Sequence, residues 1–353
     1  MSLNLINPFM KFASGGGGAG TPALFEQLAQ VTLSSQGNLD IASFTGKPYM
    51  MWLMFGQSAA NDGSGSTIDS RFAFNNTTVG STAYAVTKYD NGATTGGTDV
   101  NFYGYSAGAW NIAYDFFAYG YMSTPETAIK GQYSRSIQST GQGVAPYRNE
   151  STGKFDETSN LITEWHDYYT TESGSNLTIL GFDPSDTNAT PIWEKLAQAT
   201  NSGSTTAELN SGTFTAKKYL WIQFYDTNTI NYRNKITFNS DSGTNYQMRY
   251  ARDMASDATE TGQTKFKMGD WGWYGTAMHN FLIVNPDNTN KYCISETTKA
   301  GQSGASNAPH KTELVGQWDD NAEVTSVQMS SENSGGAVDI GADSFITVWG
   351  FDP

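Results

Sequence analysis

The sequence predicts an all-β fold, with two tandem, diverged, jelly-roll-like β-sandwich domains behind a short tethered N-terminal peptide. Three observations predict it. Short apolar and aromatic runs are separated by stretches rich in Gly, Ser, Thr and Asn, and 37 glycines are available for the turns. No long segment carries the 3.6-residue apolar period of an amphipathic helix. Finally, a set of motifs recurs in the same order in the two halves of the chain.

The recurrence is specific. Phe25-Glu-Gln-Leu-Ala-Gln30 returns as Trp193-Glu-Lys-Leu-Ala-Gln198, and Ser43-Phe-Thr-Gly-Lys-Pro-Tyr49 as Thr213-Phe-Thr-Ala-Lys-Lys-Tyr219. Arg71-Phe-Ala-Phe-Asn75 is echoed by Lys235-Ile-Thr-Phe-Asn239, and Ile179-Leu-Gly-Phe-Asp-Pro184 by Val348-Trp-Gly-Phe-Asp-Pro353. Two domains are expected, residues 22–184 and 191–353, with a short polar join between them. So few residues leave the domains a fixed or narrowly hinged relation. Tyr49 and Tyr219, Phe74 and Phe238, and Phe182 and Phe351 are expected in equivalent places.

Residues 1–21 are expected to be an N-terminal docking peptide and glycine linker, the alternative being that the peptide covers an edge of its own first domain. Gly15–Gly18 is a flexible run, and before it Leu5, Ile6, Phe9, Met10 and Phe12 are apolar side chains with nothing of their own to cover them. No basic segment precedes these residues, so a conventional secretion signal is not expected. Each domain then opens with a mixed segment, at 24–33 and 192–199. Apolar, aromatic strands follow at 47–55 and 218–225. Period-two alternation marks Arg71-Phe-Ala-Phe and Lys235-Ile-Thr-Phe as strands. Residues 83–89 and 246–250 come next, with Asp241-Ser-Gly-Thr read as a hairpin turn. Further strands are expected at 111–121, 129–136, 279–284 and 291–295. Residues 161–169 read as a short helical turn or a strand. Strands at 176–181 and 344–350 close the domains.

Lys235-Ile-Thr-Phe-Asn-Ser-Asp-Ser-Gly-Thr-Asn-Tyr-Gln247, with Lys218-Tyr-Leu-Trp-Ile-Gln before it, resembles a β-sandwich module of tailed-phage and environmental viral structural proteins. Glu313-Leu-Val-Gly-Gln-Trp318, Val324-Thr-Ser-Val327 and Thr347-Val-Trp-Gly350 extend the resemblance over most of the second domain. The first domain departs from it: Phe74-Asn-Asn-Thr-Thr-Val-Gly-Ser-Thr-Ala-Tyr84 lacks the Asp and the second Asn. The resemblance implies a virion component: a capsid, capsid-decoration or fibre/spike protein. Its partners would be other virion proteins and further copies of itself.

The remaining chemistry fits a structural role. A formal net charge of -14 with scattered Lys and Arg argues against nucleic acid and membrane as partners. Enzyme activity is not expected: three histidines, His166, His279 and His310, stand apart in the sequence, and no zinc or phosphate-loop spacing occurs. No cofactor or metal is expected, although Asp319-Asp320 and Asp183 with Asp186 are the acidic groups to inspect for calcium. Cys293 sits in a strand pattern as a buried thiol. Candidate interface or glycan contacts are Phe102, Tyr103, Tyr105, Trp110, Trp271, Trp273 and Tyr274, because closely spaced glycines can turn such rings outward. A carbohydrate-binding or adhesin-like surface module is the alternative function, with a host-surface glycan as its ligand.

Overall fold

A computed structural model describes residues 25–59, 69–75, 84–90, 93–97, 102–106, 114–139, 141–186, 190–228, 232–253, 255–269, 275–300 and 308–353. The docking peptide lies outside the described residues, as do Trp110, Trp271, Trp273 and Tyr274.

The first half carries β1 (Glu26–Thr32), β2 (Tyr49–Gln57), β3 (Asp69–Phe74), β4 (Tyr84–Asp90), β5 (Ala93–Gly97), β6 (Phe102–Ser106), β7 (Asp115–Ser123), β8 (Lys130–Ser139), β9 (Tyr147–Phe155), β10 (Trp165–Asp167) and β11 (Asn176–Phe182). The second half opens with β12 (Glu194–Thr200), β13 (Glu208–Asn210), β14 (Tyr219–Asp226), β15 (Arg233–Phe238), β16 (Tyr246–Arg252), β17 (Ala258–Gln263) and β18 (Phe266–Met268). It closes with β19 (Ala277–Val284), β20 (Lys291–Lys299), β21 (His310–Trp318), β22 (Val327–Asn333), β23 (Gly336–Val338) and β24 (Phe345–Phe351).

The described residues are all-β, in four sheets. One eight-stranded sheet runs β1-β11-β2-β7-β8-β9-β4-β5, and the other runs β12-β24-β14-β19-β20-β21-β16-β17. Smaller sheets, β10-β3-β6 and a five-stranded one built on β13-β22-β15-β18, pack on them. The jelly-roll expectation is overturned, because among the described residues no sheet closes into a barrel or curls strongly. Each half pairs a wide open sheet with a narrow one. The reason lies in the middle strands: β7, β8 and β9 pair with their sequence neighbours as a meander, and so do β19, β20 and β21. A jelly roll would send such strands alternately to two sheets of equal width.

Three cores follow from this layering. Met50, Trp52 and Met54 of β2 face the small sheet of the first half, and Leu220, Ile222 and Phe224 of β14 face that of the second. The alternate residues, Met51 and Leu53 with Tyr219 and Trp221, meet in a third core between the two large sheets. β2 and β14 are therefore apolar at successive positions, as strands covered on both faces must be. Residues 161–169 hold the strand β10, and Cys293 is buried in the second core.

The recurrent motifs do the same work in each half. In the edge strands β1 and β12 the register shifts at Gln27/Ala29 and at Lys195/Ala197, a β-bulge that turns Leu28 and Leu196 inward. Those leucines lie over Gly181 and Gly350, where a Cβ would come within 2.4 Å and 2.6 Å of a leucine δ carbon. Lys217 bridges Glu194 to Asp352 of the closing motif, whereas Lys47 bridges Glu26 to Asp186, three residues past the corresponding Asp183. Asn75 and Asn239 both take positive φ, 50° and 52°. The Asn75 side chain donates to Leu161 O and accepts from Thr163 N, and Asn239 repeats this with Glu323 O and Thr325 N. The ammonium of Lys130 donates to three carbonyls, of Pro125, Ala128 and Glu157, and that of Lys291 to those of Thr289, Asp320 and Asn321. Burial lowers the Lys291 pKa to about 8.

One turn is not what its sequence predicts. Asp241-Ser-Gly-Thr joins β15 of the small sheet to β16 of the large one, so it is a corner between layers and not a hairpin. Asp241 holds it by accepting from Gly243 N, the Asn245 amide and the Trp318 indole. The Tyr246 hydroxyl accepts from Phe238 N across the corner. Tyr49 and Tyr219 also part company: each pairs with the last strand of its half, yet Tyr49 is 47% exposed and Tyr219 fully buried. Tyr219 lies under Phe117 of the opposite large sheet and donates its hydroxyl hydrogen to Asn176, while the Tyr49 ring rests on Phe182.

Candidate interface between the two large sheets

The third core combines apolar packing with a set of buried charges. Phe117 and Leu180 of the first half meet Tyr219, Leu282 and Val315 of the second. β8 and β9 present Arg135 and Arg148, fully buried or nearly so, on this face. Arg135 contacts Glu150 at 3.0 Å and, across the seam, Glu296 at 3.2 Å. Arg148 contacts Glu150 at 2.5 Å and reaches across to Asp257 at 2.8 Å and Glu313 at 2.9 Å. Tyr89 covers the Arg148 guanidinium from above, 4.7 Å from its ring centre. Arg249, from the second half, donates to Pro146 O of the first.

Electrostatics follow from that crowding. Burial alone would push the Glu313 carboxyl up, but Arg135, Lys311 and Arg148 outweigh it and hold the pKa at about 2. Burial pushes Glu150 up, opposed by Arg135 and Arg148. The set balances only when both arginines are flanked by ionised carboxylates, because an unpaired buried charge is costly.

A narrow cleft opens beside these charges, lined by Tyr119, Tyr121, Trp221, Asn280 and Glu296 among others. Its volume of about 30 Å³ holds a water molecule, not a sugar ring.

A second polar cluster lies inside the second half. His279 is buried, with Nδ1 against Thr297 Oγ1 at 2.7 Å and Nε2 against Asn234 Oδ1 at 2.8 Å. The Asn234 amide donates to buried Asp226, and Lys299 donates to Tyr232 O. Burial, helped by Lys299, drives the His279 pKa down to about 3. A lowered histidine pKa gives stability that is complete above about pH 6.5 and is lost as pH falls towards the folded-state value. By NMR, the His279 imidazole should stay neutral down to about pH 4 in the folded chain, whereas a midpoint near 6.5 would mean that water reaches the ring.

The residues singled out in the sequence are dispersed. Phe102, Tyr103 and Tyr105 fall in β6, whose backbone pairs with β3 on the small sheet. Asp186 is taken up by Lys47, and Asp183 accepts from Ser185. Asp319 accepts from Gly143 N and Gln247. His166 lies 3.4 Å from Glu164, and His310 2.8 Å from Asp253. The seam arginines were not singled out. An arginine amid the small polar residues of Tyr133-Ser-Arg-Ser-Ile137 was the available signal, since a charge in the middle of a central strand needs a partner.

No known protein family matches the chain, and no curated protein does. Among solved structures, similarity is recorded to the two C2 domains, A and B, of extended synaptotagmin 2, at 6% identity and a TM-score of 0.10, covering 79% of this chain and 94% of that one. Similarity is also recorded to the binding domain of botulinum neurotoxin DC in complex with SialylT, at 8% identity and a TM-score of 0.14, covering 88% and 94%. Scores this low carry no argument about fold or function.

Proposed function

We propose that this chain is a virion structural protein, a capsid, capsid-decoration or fibre/spike component. The observation that carries the reading is the seam, where two large sheets are joined by an apolar layer and buried ion pairs. A repeating assembly needs subunits of fixed shape, because a small angular error in each is multiplied around the particle. Three cores, one of them shared by the halves, give that rigidity. The viral-like motif around Phe238 to Tyr246 supports the same reading. So does the acidic balance, which suppresses non-specific contact.

Purified particles labelled with an antibody to this chain should show regular decoration by electron microscopy. Label confined to soluble material would remove the virion reading. The N-terminal peptide gives a second expected outcome. Deleting residues 2–13 should leave melting close to that of the intact chain while incorporation into particles falls sharply. Each large apolar side chain docked on a neighbour contributes about 1.5–3 kcal/mol before ordering costs, and repeated sites add avidity. Normal assembly of the truncated chain would rule out the docking role.

A further inference from the structure

The seam joins two similar faces, which raises a problem of recognition. Along one row of the first large sheet lie Leu53, Tyr119, Arg135 and Glu150, paired strand to strand. The corresponding row of the second sheet holds Gln223, Asn280, Glu296 and Glu313. Faces with the same strand order and the same apolar centre could pair first half with first half, or second with second, between different chains. Such contacts would link chains without limit.

The charges at corresponding positions differ in a way that opposes this. Arg135 stands where the second half has Glu296. On the first-half face, Arg135 and Arg148 meet Glu150 and, further along beside Tyr292, Asp115. On the second-half face, Glu296, Glu313 and Asp257 outnumber Lys311 and Arg249. The observed pairing sets the two arginines of the first-half face against three carboxylates of the second, with cross-seam contacts of 3.2 Å, 2.8 Å and 2.9 Å. Pairing of like halves would set Arg135 near a second Arg135, or Glu296 near a second Glu296, away from water. Like charges in contact there disfavour the wrong partner more than the right pair adds affinity.

We propose that Arg135 and Glu296 form a pairing code by which a first-half face accepts only a second-half face, whether of its own chain or of a second copy. The code acts on partner choice, and the apolar layer supplies the adhesion. Replacing both residues by leucine removes the opposite charges at the position where the two faces correspond. Discrimination then disappears while packing remains. This inference is independent of the virion reading.

The test uses the full chain, unfolded in denaturant, refolded, and sized by chromatography with light scattering against wild type. Glu296→Arg should raise the fraction of species larger than the wild-type form at least threefold, and Arg135→Glu should do the same. The double exchange Arg135→Glu with Glu296→Arg should give clearly fewer larger species than either single variant, short of full restoration because Glu150 and Lys311 keep their charges. Single variants that refold with the wild-type distribution would overturn the code, and so would a double exchange no better than either single one. If the single variants are insoluble, the pair Arg135→Leu with Glu296→Leu decides. It should still refold cooperatively and give the threefold rise in larger species. A wild-type size distribution for that pair would overturn the proposal.

Discussion

Replacing Arg148 by alanine is expected to destabilise the protein by about 3–5 kcal/mol. The guanidinium is 2% exposed and contacts Glu150, Asp257 and Glu313. Removing it leaves these carboxylates clustered in the seam with less positive charge among them, and the Asp257 side chain is itself only 3% exposed. The cost is mainly that of stranded charges, since a well-packed apolar replacement of a whole buried ion set is often neutral. Urea unfolding at neutral pH measures it. The loss should shrink at acid pH, where the stranded carboxylates take up protons. A loss below about 1 kcal/mol would place the pair with solvent-exposed bridges and would contradict the buried seam.

Truncating Phe238 to alanine is expected to cost about 3–5 kcal/mol. The ring is fully buried and lies 5.6 Å from Trp318, 5.7 Å from Phe266 and 6.3 Å from Tyr246, centre to centre. These rings come from β15, β21, β18 and β16, so the site joins the small sheet to the large one at the corner. Its neighbours are held by hydrogen bonds to Asp241 and across to Phe238 N, which limits how far they can collapse into the void. Calorimetry or urea unfolding would give the value. A loss under about 1 kcal/mol would show a site able to close over the missing ring.

Much of the strand pattern was readable because apolar runs and turn residues are local signals. The layering was not. Tyr49 to Phe55 and Tyr219 to Tyr225 are apolar at nearly every position, a pattern that marks strands covered on both faces. It points to the third core but does not say which other strands supply the cover. The corner at Asp241 illustrates the same limit. Turn residues between two strands announce a change of direction, and whether the second strand rejoins the same sheet depends on partners far along the chain, here β21 and β22. The seam charges were hidden for a related reason. Arg135 and Glu296 are 161 residues apart in the sequence, and only the folded sheets bring them to 3.2 Å. The recurrent motifs, in contrast, were visible as repeats because each one carries a contact internal to its own half, such as Leu28 over Gly181 and Leu196 over Gly350.

The positions of β1 and β24 in their sheets give the molecule two unequal responses to tension. Among the described residues β1 is an edge strand bonded to β11 alone, whereas β24 lies between β12 and β14. A pull on Glu26 directed away from β11 loads the ladder one hydrogen bond at a time, and the strand peels. A pull on Phe351 along the strand loads two antiparallel ladders together, so many bonds must shear at once. Rupture under force is governed by the barrier to unfolding and not by equilibrium stability. An attachment that pulled β1 away from β11 would therefore yield at lower force than one that pulled along β24. One made through β24 would hold until its sheet failed as a whole.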